Sequence, residues 1–167
     1  MTEITHLVVP GTFDPVTNGH MDVIRRARRI CPKVTVAVAA SVGKNGTGPR
    51  FSHEERVDMI REALDDAGLN DVQVQGFSGL LMDFCRDVDA QAVVKGLRAA
   101  TDFEYELQQA DLNYRLSPEI ESIFVMSSPE YSYISSSIVR ELSGFGVDIS
   151  MLVPPTVNRR LTEHFDA

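Results

Sequence analysis

Gly11-Thr12-Phe13-Asp14-Pro15-Val16-Thr17-Asn18-Gly19-His20 separates a short apolar run, Ile4 to Val9, from a stretch in which Met21, Ile24, Ala27 and Ile30 recur at helical spacing. The pattern predicts a strand, a loop and a helix. Where a helix begins, unpaired backbone N–H groups and the positive dipole end favour an anion, and Gly19 lets a ligand come close to the main chain. His20 would face that anion. An imidazole there can donate a hydrogen bond to a phosphoryl oxygen, and its charge can respond to a bound phosphate near neutral pH. Asp-Pro and Asn-Gly are also common turn dipeptides, so an ordinary turn is the competing reading. The loop is neither GxGxxG nor GxxxxGK[ST], which excludes borrowing those two phosphate-binding mechanisms.

Outward from this unit, strand and helix patterns alternate. Val34 to Ala40 is an almost unbroken, valine-rich run, as expected for a parallel strand covered on both faces. Ser41 to Arg50 holds three glycines and a proline and reads as a loop carrying Lys44. Ser52 with Glu55 makes a capping box for a helix whose buried stripe is Val57, Ile60, Leu64 and Ala67, ended by Gly68. Val72 to Phe77 is a third strand and Leu80 to Val88 a short helix. Gln91 to Lys95 is a fourth strand that runs into Gly96-Leu97-Arg98, and Thr101 with Glu104 reads as a second capping box. The helix that follows carries Phe103, Leu107, Ala110 and Tyr114 on one face and Asp102, Glu106, Gln109 and Asn113 on the other, so the polar residues are expected in solvent. Glu121 to Met126 is a fifth strand. The serines that end the polar loop Ser127 to Ser137 suit helix caps, phosphate donors or both, because a helix begins near Ile138. A last amphipathic helix over 155–165 places Val157, Leu161 and Phe165 together.

No repeat or linker interrupts this alternation, so the expected fold is α/β: one domain over 1–167 built on a doubly wound, mostly parallel five-stranded sheet. Ligands in such sheets bind beyond the carboxyl ends of the strands. The loops that hold Thr12 and His20, Lys44, Gly96 and Arg98, and Ser135 to Ser137 all fall at that edge.

The chain has 167 residues, 43% of them hydrophobic, enough for one real core. Its formal net charge of -8 and pI near 4.9 argue against a general nucleic-acid surface, so any anion site must be local. No apolar stretch has membrane-spanning length and the start lacks a secretory pattern, so a cytoplasmic protein is expected. Cys31 and Cys85 have neither CxxC nor zinc-ligand spacing and read as reduced, packed thiols. His6, His53 and His164 fall outside every motif and read as structural or exposed.

Three segments together resemble the bacterial phosphopantetheine adenylyltransferases across nearly the full chain. They are Pro10 to Pro15 with Asn18-Gly19-His20, then Lys95-Gly96-Leu97-Arg98 with Asp102 to Glu106, and Tyr131-Ser132-Tyr133-Ile134-Ser135-Ser136-Ser137. The first is shared by the wider nucleotidyltransferase superfamily, whereas the second is more specific to this branch. The resemblance implies a Rossmann-like nucleotidyltransferase fold and transfer of the adenylyl group of ATP to 4'-phosphopantetheine, giving dephospho-coenzyme A and pyrophosphate. It implies His20 on the ATP phosphates as transition-state stabiliser and Thr12 between the nucleophilic phosphate and the α-phosphate. Lys44 would neutralise the reacting phosphates, Arg98 would hold ATP phosphate, and Lys95 would contact the acceptor's phosphate. Phe13, Gly96, Leu97, Glu106 and the Tyr131 to Ser137 segment (Tyr131, Ser132, Tyr133, Ile134, Ser135, Ser136, Ser137) would contact ATP. Leu81 would line the pantetheine arm. Magnesium held by ATP and water, a homohexamer and feedback inhibition by coenzyme A are further implications. Two other readings remain open at this point: another small nucleotidyltransferase, acting on a mononucleotide or with CTP, and a module that senses ATP without turnover.

Overall fold

The computed structural model describes residues 3–41 and 49–165. Five strands, β1 (His6–Gly11), β2 (Lys33–Ala39), β3 (Gln73–Phe77), β4 (Ala92–Leu97) and β5 (Glu121–Met126), form one sheet in the order β3-β2-β1-β4-β5. Every neighbouring pair is parallel. Between and after them run α1 (Asn18–Ile30), α2 (His53–Asp66), α3 (Leu81–Asp87), α4 (Ala100–Leu116), α5 (Ser136–Gly144) and α6 (Pro155–Phe165). The doubly wound α/β expectation is borne out.

Both sheet faces are covered, which explains why the central strands read as continuous apolar runs. Leu7, Val9, Val34, Val36, Val38, Ala92 and Val94 pack on one face with residues of α1, α2, α5 and α6. Val8, Ala37 and Val93 face the other way, against Met82, Phe84 and Cys85 of α3. Cys31 and Cys85 are free and buried, and burial pushes the Cys85 thiol up to about 12. His6 is buried too, with Nδ1 2.9 Å from the Val88 carbonyl and Nε2 2.8 Å from Thr35 Oγ1, while His53 Nε2 lies 2.8 Å from the Val38 carbonyl. Both are structural.

The Ser52–Glu55 capping box forms as read: Ser52 Oγ accepts from Glu55 N at 3.1 Å, and the Glu55 carboxylate accepts from Ser52 N at 2.7 Å. Gly68, at φ 70, ends α2 in the left-handed region. Among the boundaries that differ from the sequence expectation, three bear on the site. The first strand runs from His6 to Gly11 rather than from Ile4 to Val9, so it reaches into the opening loop. The fourth strand includes Gly96 and Leu97, which pair with Val125 and Met126 of β5. α4 begins at Ala100, with Ala99 as its N-cap and no side-chain cap hydrogen bond, so position 101 lies within the helix rather than at the expected cap. Asp102 takes up the neighbouring backbone instead, accepting from Arg98 N at 3.2 Å.

A larger correction concerns α4. Phe103, Leu107 and Tyr114 of its apolar face are exposed, as are Tyr105, Leu112 and Leu116, whereas Glu106 turns inward onto β4. Periodicity identified an apolar stripe but not what covers it, and within this chain the sheet takes a different side of the helix.

Candidate functional site

The sheet order reverses direction between β1 and β4, the place where open α/β sheets leave a crevice. β1 and β4 pair only through Leu7 with Ala92 and Val8 with Val93. Beyond these residues the strands part, and a cavity of about 520 Å³ opens between Val9 to Gly11 on one side and Val94 to Gly96 on the other.

The first wall is the opening loop. Thr17 caps α1 and forms a box with His20: Thr17 N donates to His20 Nδ1 at 3.0 Å, and His20 N donates to Thr17 Oγ1 at 3.4 Å. This box was missed because histidine is not the usual third residue of such a motif. Since Nδ1 accepts a main-chain proton, the neutral ring carries its own proton on Nε2. Phe13, at φ 51 in the left-handed region, packs edge-on against the imidazole with centroids 5.0 Å apart. Burial, with the Arg98 charge as a smaller contribution, lowers the His20 pKa to about 4. In the free protein the ring is therefore neutral at physiological pH.

The second wall comes from β4 and α4. Arg98 is held by Asp102, with Nε to Oδ2 at 3.1 Å and Nη2 to Oδ1 at 3.4 Å, and donates from Nη1 to the Ile134 carbonyl at 3.0 Å. This pairing lowers the Asp102 pKa against the effect of burial, which raises it. Lys95 Nζ lies 3.2 Å from Glu106 Oε1 and 3.1 Å from Oε2. Gly96 is required by close packing: a Cβ there would lie 2.7 Å from Val23 Cγ2 of α1.

The third wall is the segment before α5. Ser135 caps that helix, accepting from Ile138 N at 3.2 Å, while Ser136 Oγ donates to the Pro15 carbonyl at 2.8 Å. Ser137 lines the cavity beside them. Phe13, His20, Lys95, Gly96, Arg98, Glu106, Tyr131, Ile134, Ser135, Ser136 and Ser137 are thus gathered on one cavity. Thr12 stands exposed outside its lining, with Oγ1 3.3 Å from Ser41 Oγ. Leu97 is buried, Ser132 donates to the Pro129 carbonyl at 3.2 Å, and Tyr133 is exposed; none of these three lines the cavity. Leu81 lines a second cavity of about 180 Å³, which shares Lys95 and Glu106 with the first. Lys44 lies outside the described residues.

Sequence reasoning also missed the residues that brace the opening loop. Asp14, buried, accepts from Arg50 N at 2.8 Å and Phe51 N at 3.0 Å, and Arg140 of α5 approaches its carboxylate at 3.6 Å. Arg56 of α2, only 2% exposed, donates to the carbonyls of Thr12 at 2.6 Å, Ala39 at 2.9 Å and Phe51 at 3.2 Å. Among the described residues no group of three or more His, Cys, Asp or Glu side chains is placed to hold a metal ion. The acidic residues that line the larger cavity, Asp102 and Glu106, are engaged by Arg98 and Lys95. No helix of the described residues is long and apolar enough to cross a membrane.

Residues 8–142 match the cytidylyltransferase-like family model. A phosphopantetheine adenylyltransferase from Thiobacillus denitrificans is 52% identical over 93% of this chain and 94% of its own length. The one from Nocardioides sp. is 48% identical over 95% of this chain and 96% of its own. The chain belongs to the phosphopantetheine adenylyltransferase family. It shares its fold more widely: a bifunctional NMN adenylyltransferase/ADP ribose pyrophosphatase from Francisella tularensis superimposes with a TM-score of 0.76 at 19% identity. That match covers 99% of this chain and 51% of the bifunctional protein, so the chain spans about half its length. As a phosphopantetheine adenylyltransferase family member, the chain is an enzyme of the nucleotidyltransferase class, in keeping with a cavity at the sheet's switch point that gathers His20, Lys95 and Arg98.

Proposed function

We propose that this enzyme transfers the adenylyl group of ATP to 4'-phosphopantetheine, forming dephospho-coenzyme A and pyrophosphate in coenzyme A biosynthesis. The observation that carries the reading is the meeting of two cavities at Lys95: the larger is lined by His20, Arg98 and the start of α5, the smaller by Leu81. ATP is assigned to the larger cavity and the pantetheine arm to the smaller, which brings the acceptor phosphate to the shared wall.

An oxygen of the acceptor phosphate attacks the α-phosphorus of ATP, and the bond from that phosphorus to the bridging oxygen of pyrophosphate breaks. No protein nucleophile is needed. The enzyme's part is to hold two anions together and stabilise charge as it develops on the transferring group. His20 donates from Nε2 to a phosphoryl oxygen, as a charge stabiliser. Arg98, pre-oriented by Asp102, holds ATP phosphate, and Lys95 receives the acceptor phosphate. Thr12 and Lys44 are assigned to the reacting phosphates, with Phe13, Gly96, Glu106, Tyr131, Ile134 and Ser135 to Ser137 as the nucleotide's contacts and Leu97, Ser132 and Tyr133 supporting them from outside the lining. Magnesium would be carried by the nucleotide rather than by a carboxylate cage of the described residues, and would supply charge screening for the departing pyrophosphate.

The whole of 1–167 is read as one catalytic domain working in the cytoplasm. A homohexamer is supported by the exposed apolar face of α4, an area that a partner copy would cover. Feedback inhibition by coenzyme A suits the same site, since that molecule joins a pantetheine arm to an adenine nucleotide. The test is pyrophosphate release from purified protein given ATP, magnesium and alternative acceptors. Release with 4'-phosphopantetheine is expected. No release with it, or faster release with a mononucleotide acceptor, overturns the reading.

A further inference from the structure

The Lys95–Glu106 pair belongs to both cavities at once. Lys95 comes from β4 and Glu106 from the second turn of α4, and their side chains are 30% and 17% exposed, so the pair sits in the partition rather than on the surface. The ammonium stands almost equally far from the two carboxylate oxygens, at 3.2 Å and 3.1 Å. The contacts are not equivalent. Oε1 accepts a hydrogen bond, whereas Oε2 is buried and, among the described residues, has the ion pair with Lys95 but no hydrogen bond.

Held by the ion pair alone, this oxygen keeps its lone pairs free for a ligand that brings an N–H or O–H. The larger cavity is the one with room for a nucleotide, whose ribose hydroxyls and adenine amino group are such donors. Lys95 meanwhile is neutralised. An acceptor phosphate reaching it must either displace Glu106 or lie close to a like charge.

We propose that the Lys95–Glu106 pair couples the two substrates: Glu106 occupies the Lys95 ammonium until a nucleotide donor draws the carboxylate away, and Lys95 then becomes available to the acceptor phosphate. This rests on the assignment of the two substrates made above. Coupling of this kind is reciprocal, so the acceptor must tighten nucleotide binding by the same factor.

The experiment is calorimetric titration of the intact protein with 4'-phosphopantetheine, with and without a non-hydrolysable ATP analogue, and in parallel with pantetheine that lacks the phosphate. In the wild type the analogue is expected to tighten 4'-phosphopantetheine about tenfold, within the usual range for coupled sites, and to leave phosphate-free pantetheine within about twofold. Glu106→Gln is expected to bind 4'-phosphopantetheine tightly without the analogue and to gain less than about twofold from it. The wild-type comparison of the two acceptors needs no variant, so it decides the matter even if Glu106→Gln does not fold. Equal tightening of both acceptors, or normal binding of both substrates without any tightening, overturns the coupling while leaving the proposed reaction intact. Absence of pyrophosphate release from the complete mixture overturns the reaction itself.

Discussion

Thr17 N donates to His20 Nδ1 at 3.0 Å, so one hydrogen bond both closes the cap of α1 and fixes which nitrogen of the imidazole holds the proton. Burial and then Arg98 lower the His20 pKa from 6.5 to about 4. Between these values the unfolded chain binds more protons than the folded one, so His20's contribution to stability is complete above pH 6.5 and is lost as pH falls toward 4. Nitrogen NMR of the ligand-free protein is expected to show the neutral Nε2–H tautomer at pH 7 and a midpoint near 4. A midpoint near 6.5 would contradict it.

His20→Ala removes a donor that faces charge developing during transfer. Turnover is expected to fall by about 100- to 1000-fold, the loss typical of a single oxyanion-type donor, while affinity for ATP changes far less. Because the substitution also deletes half of the capping box, circular dichroism and thermal unfolding must accompany the kinetics. A folded variant with near-wild-type turnover and pyrophosphate exchange removes His20 from the mechanism.

Arg56 joins three pieces of chain that share no secondary structure: the opening loop at Thr12, the end of β2 at Ala39, and the turn into α2 at Phe51. Its replacement by leucine removes the donor from three carbonyls, that of Phe51 buried and those of Thr12 and Ala39 partly buried. The expected loss is about 1 to 3 kcal/mol, the range for one unsatisfied buried group, with a smaller addition from the two that water can reach, read from urea unfolding. Arg56→Lys should lose less than Arg56→Leu but remain below wild type, because an ammonium cannot reach three carbonyls in the fixed geometry of a guanidinium. Equal stability of Arg56→Leu and wild type would disprove this role.

These residues also mark where the sequence stopped being legible. β2, α2 and β5 were readable because valine runs, a Ser–Glu box and a terminating glycine are local signals whose meaning does not depend on distant neighbours. Lys95 and Arg98 stood out because they lie near or just beyond the carboxyl end of a strand, at the ligand-binding edge. Arg56, by contrast, sits in His-Glu-Glu-Arg, which reads as a solvated helix start until the carbonyls around it are known. Asp14 looked like half of a turn dipeptide, yet it accepts from two backbone N–H groups 36 and 37 residues away. Glu106 was placed with the solvent face because helical periodicity reports the separation of faces, and Lys95 across the gap decides which one turns inward.

Gly96 offers a reversible test of how closely α1 must approach β4. A methyl group at this position would stand 2.7 Å from Val23 Cγ2, and Val23 is buried and lines the cavity, so the contact is relieved by turning Val23 out of its preferred helical rotamer or by moving the helix or the strand. Gly96→Ala is expected to cost about 1 to 3 kcal/mol, the range for overpacking a filled interior. Since Lys95 and Arg98 flank this residue, turnover should fall as well. Val23→Ala removes the obstructing methyl, so Gly96→Ala introduced into that background should cost less than it does in the wild type. Urea unfolding of the four proteins gives the coupling directly. Additive losses would mean that the crowding lies elsewhere and that Gly96 is needed for its backbone rather than for the space above it.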